Sequence, residues 1–155
     1  MQTSRSRVAV ALGSNVGDRR AHLDFAVARL RTILTDVRVA SVIETAPVGV
    51  GPQRAFLNGA VVGESPEGPR ELLERLRVVE SARGRARPFP GAPRTLDLDL
   101  ILFGASILDE PGLSVPHPRF RDRRFVLEPL AEIAADLVDP VTGLTMRDLL
   151  ARLAP

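Results

Sequence analysis

Val8, Val10 and Leu12 alternate with smaller residues in RVAVALGS, which predicts a buried strand over residues 7–12. GSNVGD then turns the chain, and Asp18 is placed to cap a helix running to about Leu34. The stripe of Leu23, Ala26, Val27, Leu30 and Leu34 has helical spacing. VRVASVIE alternates again and predicts a second strand from about Val37 to Glu44. Pro47, Gly49, Gly51 and Pro52 break it, and FLNGAVV predicts a third strand from Phe56 to Val62. Pro66-Glu67-Gly68-Pro69 opens a second amphipathic helix, with Leu72, Leu73, Leu76 and Val79 on one side and Gly84 as its stop.

The run TLDLDLILFG reads as a fourth strand. Strict alternation puts Leu96, Leu98, Leu100 and Leu102 on one face and Asp97, Asp99, Ile101 and Phe103 on the other. LEPLAEIAADL and TMRDLLARL read as shorter helices, the second opened by Thr145 with Asp148 three residues on. The order β-α-β-β-α-β predicts an α+β fold: a ferredoxin-like antiparallel sheet with a C-terminal helical extension. A chain of 155 residues fits one domain, expected to span 1–155.

Composition narrows the chemistry mainly by subtraction. There is no Cys, which removes disulfides, thiolate metal sites and cysteine nucleophiles. All 21 basic residues are Arg, so neither Schiff-base chemistry nor a P-loop ammonium is available. Two His, at positions 22 and 117, cannot build a three-histidine zinc site. No apolar run approaches a membrane span or a signal-peptide core, so the expectation is a soluble cytoplasmic protein. The net charge of +2 is unevenly spread. Residues 83–94 carry four Arg and no acid, and residues 117–124 carry four Arg and one Asp. Positive charge focused in two loops suits a compact polyanion; two merely solvated loops are the plainer alternative.

Asp97 and Asp99 lie two apart in a strand, so their carboxylates share a face. Carboxylates this close repel unless cations compensate, and Mg²⁺, held by one or two carboxylates plus substrate phosphates, is the natural compensator. D-x-D alone also fits acids paired with Arg on an exposed sheet face. Arg94 three residues upstream, Arg85 and Arg87 across the Pro-rich loop, and His117 downstream shift the balance. Metal-holding acids beside guanidinium groups are the parts of phosphoryl transfer.

These residues also carry a resemblance. ALGSNVGD, ETAPVG, FLN, ESARGRAR, PRTLDLDLILFG and, about a dozen residues on, VPHPRFRDRRFVLEPLAEIAADLVDP together resemble the 6-hydroxymethyl-7,8-dihydropterin pyrophosphokinase family, over roughly residues 8–150. The resemblance implies transfer of pyrophosphate from ATP to the pterin hydroxymethyl group, giving AMP and the pterin diphosphate in folate biosynthesis. It implies that Asp97 and Asp99 hold two Mg²⁺ ions. It makes Arg85 and Arg94, with the two Asp, the catalytic set, and Arg87, His117 and Arg123 further phosphate contacts. Glu80 matches a position near the nucleotide. Phe56 and Phe125 match two aromatic walls around the pterin, Asn58 matches a hydrogen-bonding partner of the ring, and backbone groups of Thr45, Ala46 and Val48 would read its other edge. GSNVGD would shape the pocket floor. The partners implied are ATP and the pterin, with no nucleic acid and no membrane, for a monomer.

Three rivals remain open at this level. A ferredoxin-like RNA-binding module has basic loops in its favour but lacks the aromatic RNP motif. Another metal-dependent nucleotidyl transferase would release pyrophosphate rather than AMP. A catalytically silent pterin binder would bind without turnover.

Overall fold

The computed structural model describes residues 5–46, 54–84 and 95–153. Strand β1 (Ser6–Ser14) leads through helix α1 (Arg19–Ile33) to β2 (Thr35–Val39), β3 (Ile43–Thr45) and β4 (Phe56–Ser65). Helix α2 (Pro69–Ala82) precedes β5 (Asp97–Phe103), a short hairpin β6 (Leu108–Glu110) and β7 (Leu113–Val115), and helices α3 (Arg124–Ala134) and α4 (Met146–Arg152). The main sheet has the order β2-β4-β1-β5, with β3 also pairing to β4, and all these pairs are antiparallel.

Alternation in β1 sorts the two faces. Val8, Val10 and Leu12 enter one core with Leu23 and Leu30 of α1 and Leu72, Leu76 and Val79 of α2. Ala9 and Ala11 enter the other with Leu127 and Leu130 of α3 and Met146 and Leu149 of α4. The helix ends follow local chemistry. The Asp18 side chain accepts from the Ala21 amide (3.0 Å), satisfying a free first-turn donor. Pro69 sits in the first turn of α2, where its missing N–H costs nothing. Just past the end of that helix, Gly84 takes φ +74°. Thr145 and Asp148 form a reciprocal capping box on α4.

Three expectations change. The second strand is split: Ala40–Val42 separates β2 from β3, and there the Ser41 amide leaves the ladder to bond the Glu132 carboxylate (2.7 Å). In β5, Ala9 faces Leu102 but Val10 faces Leu100, so Ile101 is an extra residue, a β-bulge. The bulge resets the alternation. Leu102 joins the α3/α4 core and Phe103 the α1/α2 core, the reverse of the strict-period expectation. Finally, the β6–β7 hairpin, turned by Pro111 and Gly112 (φ +76°), was not anticipated.

The C-terminal extension is pinned by Asp139, fully buried, which accepts from Arg121 (2.6 and 3.0 Å), Thr142 (2.7 Å) and the Val141 amide (3.0 Å). Burial alone would raise this carboxyl; the bonds from Arg121, Thr142 and Val141 outweigh it and hold it below the ordinary value. Among the described residues, no helix is long and apolar enough to cross a membrane.

Candidate active site

Strand register builds one row of the site. Asp97 of β5 lies opposite Gly13 of β1, which lies opposite Asn58 of β4, which lies opposite Ile43 of β3. With strands about 4.8 Å apart, the Asp97 and Asn58 backbones are separated by about 10 Å, with only a glycine between them. A Cβ on Gly13 would stand 3.2 Å from Asn58 Oδ1 and 3.7 Å from Phe56 Cδ1. The missing side chain at residue 13 therefore lets Asn58 Oδ1 and the Phe56 ring approach the β1 backbone closely. The next row along places Asp99 opposite Ala11 and Ala60, again small residues. Both Asp are half-buried.

At the β3–β4 end, Asn58 is 6% exposed and its Nδ2 donates to Thr45 Oγ1, which fixes the amide's orientation. Thr45 faces Phe56 across the ladder, and Ala46 is exposed at the end of β3. Phe56 and Phe125 are both half-buried, unlike the core residues Phe103 and Phe120. The Arg123 guanidinium stands 5.5 Å from the Phe125 ring centroid.

At the β5 end, the His117 amide donates to Ile101 O (2.9 Å), and its Nδ1 accepts from the Arg119 amide (3.1 Å). The neutral ring therefore carries its proton on Nε2. Burial lowers the His117 pKa, the charges of Arg123 and Arg119 lower it further, and Asp97 opposes them. That balance places His117, Arg123 and Asp97 in one electrostatic neighbourhood. Glu80, only 4% exposed, accepts the Leu98 amide (2.7 Å), tying α2 to the free edge of β5. Beside this edge lies a cleft of about 270 Å³, walled by Leu73, Leu100 and Leu113 and made polar by Asp99, Ser114 and His117. Arg77 of α2 donates to Gly112 O (3.4 Å), holding the hairpin that forms one wall. A larger groove of about 400 Å³ lies between α1 and α2, and none of the candidate residues lines it.

The described residues thus bring Asp97, Asn58, Thr45 and Phe56 together through register, and Asp97, His117 and Arg123 through their charges. Glu80 acts on the strand backbone from the α2 side. Val48, Arg85, Arg87 and Arg94 lie outside the described residues. Among the described residues no cluster of three or more His, Asp or Glu could enclose a metal by itself. Two residues that no motif singles out, Gly13 and Arg19, also stand beside the candidate residues. Gly13 was legible as a glycine inside a strand, which signals close approach. Arg19, described below, carried no motif of its own.

Residues 9–135 match the family described as 7,8-dihydro-6-hydroxymethylpterin-pyrophosphokinase (HPPK). The chain belongs to that family. Among HPPK relatives, the 2-amino-4-hydroxy-6-hydroxymethyldihydropteridine pyrophosphokinase of Bacillus subtilis is 44% identical over 136 residues, covering 86% of this chain and 81% of that one. The enzyme of the same name from Pseudomonas aeruginosa is 40% identical over 147 residues, covering 94% and 90%. The HPPK fold is also found in the crystal structure of wild-type Plasmodium falciparum HPPK-DHPS with pterin and p-hydroxybenzoate. The TM-score is 0.76 at 14% identity, over 98% of this chain and 42% of that one. This chain therefore spans less than half of that larger protein.

Proposed function

We propose that the row Asp97–Gly13–Asn58 is the floor of a two-substrate site, with the nucleotide toward β5 and the pterin toward β3 and β4. The chain is a pyrophosphokinase of folate biosynthesis that moves a pyrophosphoryl group from ATP to 6-hydroxymethyl-7,8-dihydropterin. The observation that carries the site assignment is the oriented Asn58 amide lying close over Gly13, in strand register with Asp97 of the carboxylate pair.

In this reading Asn58 and the backbone of Thr45, Ala46 and Val48 read the pterin rim, while Phe56 and Phe125 offer π-faces to its rings. The cleft along β5 takes the adenine, and Glu80 keeps that edge rigid by holding Leu98. Arg85, Arg87, Arg94 and Arg123 gather phosphate oxygens, and neutral His117 donates from Nε2. Arg85 and Arg94 stabilise charge on the group in transfer. The pterin hydroxyl oxygen attacks the β-phosphorus in line and gives up its proton to solvent, the bond from that phosphorus to the bridging oxygen breaks, and AMP leaves carrying that oxygen.

Asp97 and Asp99 fit Mg²⁺: two half-buried carboxylates on one face supply part of an oxygen shell, and the triphosphate supplies the rest. Two such ions, when bound, neutralise and orient the phosphate chain. The reading includes a ferredoxin-like arrangement, one domain over 1–155, and a cytoplasmic monomer without a nucleic-acid partner.

The test is AMP formation from ATP, Mg²⁺ and 6-hydroxymethyl-7,8-dihydropterin, omitting each in turn. AMP appearing only with all three supports the reading. Pyrophosphate release, or pterin binding without AMP, overturns the proposed reaction in favour of a nucleotidyl transferase or a silent binder.

A further inference from the structure

The pairing of the two strands that present the pterin side of the site runs to Thr45 opposite Phe56, and residues 46–55 connect them in sequence. Both stems of that connection meet one side chain. Arg19, in the first turn of α1, donates from Nη1 to Ala55 O (2.7 Å), and the same nitrogen lies 3.1 Å from Glu44 Oε2. Glu44 immediately precedes Thr45, and Ala55 immediately precedes Phe56. The Arg19 side chain is only 18% exposed, so it is packed against these partners, whereas the Glu44 side chain is 60% exposed. The same turn adds a second brace: Asn15, 2% exposed, donates from Nδ2 to Arg54 O (3.3 Å), and Arg54 returns a bond to Gly17 O (2.9 Å).

The geometry points to Arg19 as a positioning residue for the pterin half of the site, acting by fixing the spacing between Thr45 and Phe56. This rests on the pterin assignment above. Arg19 touches β3 and the entry to β4. Among the described residues its side-chain partners are Ala55 and Glu44, on the β3–β4 side of the sheet rather than on β5. Its loss should therefore loosen one substrate's pocket and spare the other's, a selectivity that a general folding role would not produce. Because both contacts come from a single nitrogen, a compact ammonium can replace the guanidinium at this point, which is not so at a bidentate site.

The experiment compares KM for each substrate in wild type, R19Q, R19K and E44Q. R19Q is expected to raise the pterin KM about tenfold, a sub-ångström misplacement in scale, with the ATP KM within about twofold and kcat little changed. R19K should recover to within about threefold of wild type, and E44Q should raise the pterin KM about twofold. An unchanged pterin KM in R19Q overturns the proposal, as does a parallel rise for both substrates. Should R19Q fail to fold, E44Q and R19K carry the same comparison, and equal shifts for the two substrates there overturn it. Pterin fluorescence titration of the wild type separates the two levels. No binding by wild type refutes the site reading itself, whereas normal wild-type binding with an indifferent R19Q refutes only the role of Arg19.

Discussion

Toward α1 and α2, β1 presents Val8, Val10 and Leu12; toward the opposite side the same strand presents Ala9, Ala11 and Gly13. The large residues fill a sealed core, where Leu30, Leu72 and Leu76 are fully buried. The small ones form a floor that α3 and α4 cover at one end, through Leu127 and Met146, while the other end is bordered by Asn58, Phe56, Asp97 and Asp99. One strand thus does two jobs by parity. Both faces carry a buried core, but at its Gly13 end the second face presents polar groups, where we propose that the substrates bind.

The largest expected separation comes from the carboxylates. Asp97→Ala or Asp99→Ala should cut AMP formation about a thousandfold or more while the melting temperature stays close to wild type. Turnover near wild type in both at limiting Mg²⁺ would remove the metal assignment. On the sealed face the signs reverse. Leu30→Ala should cost about 3 kcal/mol in urea unfolding, the transfer and cavity terms together, with both KM values unchanged.

Gly13→Ala sharpens the contrast further. Its methyl would press on Asn58 Oδ1, which Thr45 holds in place, so the pterin KM should rise about tenfold and unfolding free energy should fall by about 1 kcal/mol. A stability loss with intact pterin binding would place Asn58 outside the site.

The smallest effect concerns His22, whose Nδ1 accepts from Arg83 Nε (3.0 Å) between the first turn of α1 and the end of α2. Burial, then the Arg83 charge, lowers its pKa from the usual 6.5. The folded state therefore resists the proton more than the unfolded chain does. Its contribution to stability is complete above about pH 6.5 and declines as the pH falls below that value. Melting temperatures between pH 7.5 and 5.5 should fall, and His22→Gln should flatten the slope by about 2 °C or less.

Much of the sealed face was legible, because its signals are local. The Leu stripe of α1, the Asp18 cap, the Pro69 entry and the Thr145–Asp148 box each depend on neighbours within a few residues. The β5 bulge was not legible. An apolar run such as LDLDLILF reads equally well with or without an extra residue, and the choice at Ile101 is made by pairing with β1. The β6–β7 turn carries a local signal of its own in Pro111-Gly112. For the site, D-x-D and the family likeness name candidate residues. What the sequence could not convey were contacts distant along the chain: Glu80 on the Leu98 amide, and Arg19 across two stems. Val48, Arg85, Arg87 and Arg94 stand as sequence expectations, since they lie outside the described residues.

Glu80 has one more consequence. β5 borders the sheet with seven residues rich in Leu and Ile, the kind of rim that recruits foreign strands and seeds aggregates. The Glu80 carboxylate occupies the Leu98 amide and the His117 amide occupies Ile101 O, so an intruding chain meets a ladder already plugged at two rungs. The same two bonds that steady one wall of the β5 cleft thus leave fewer open rungs on that rim for another chain to pair with.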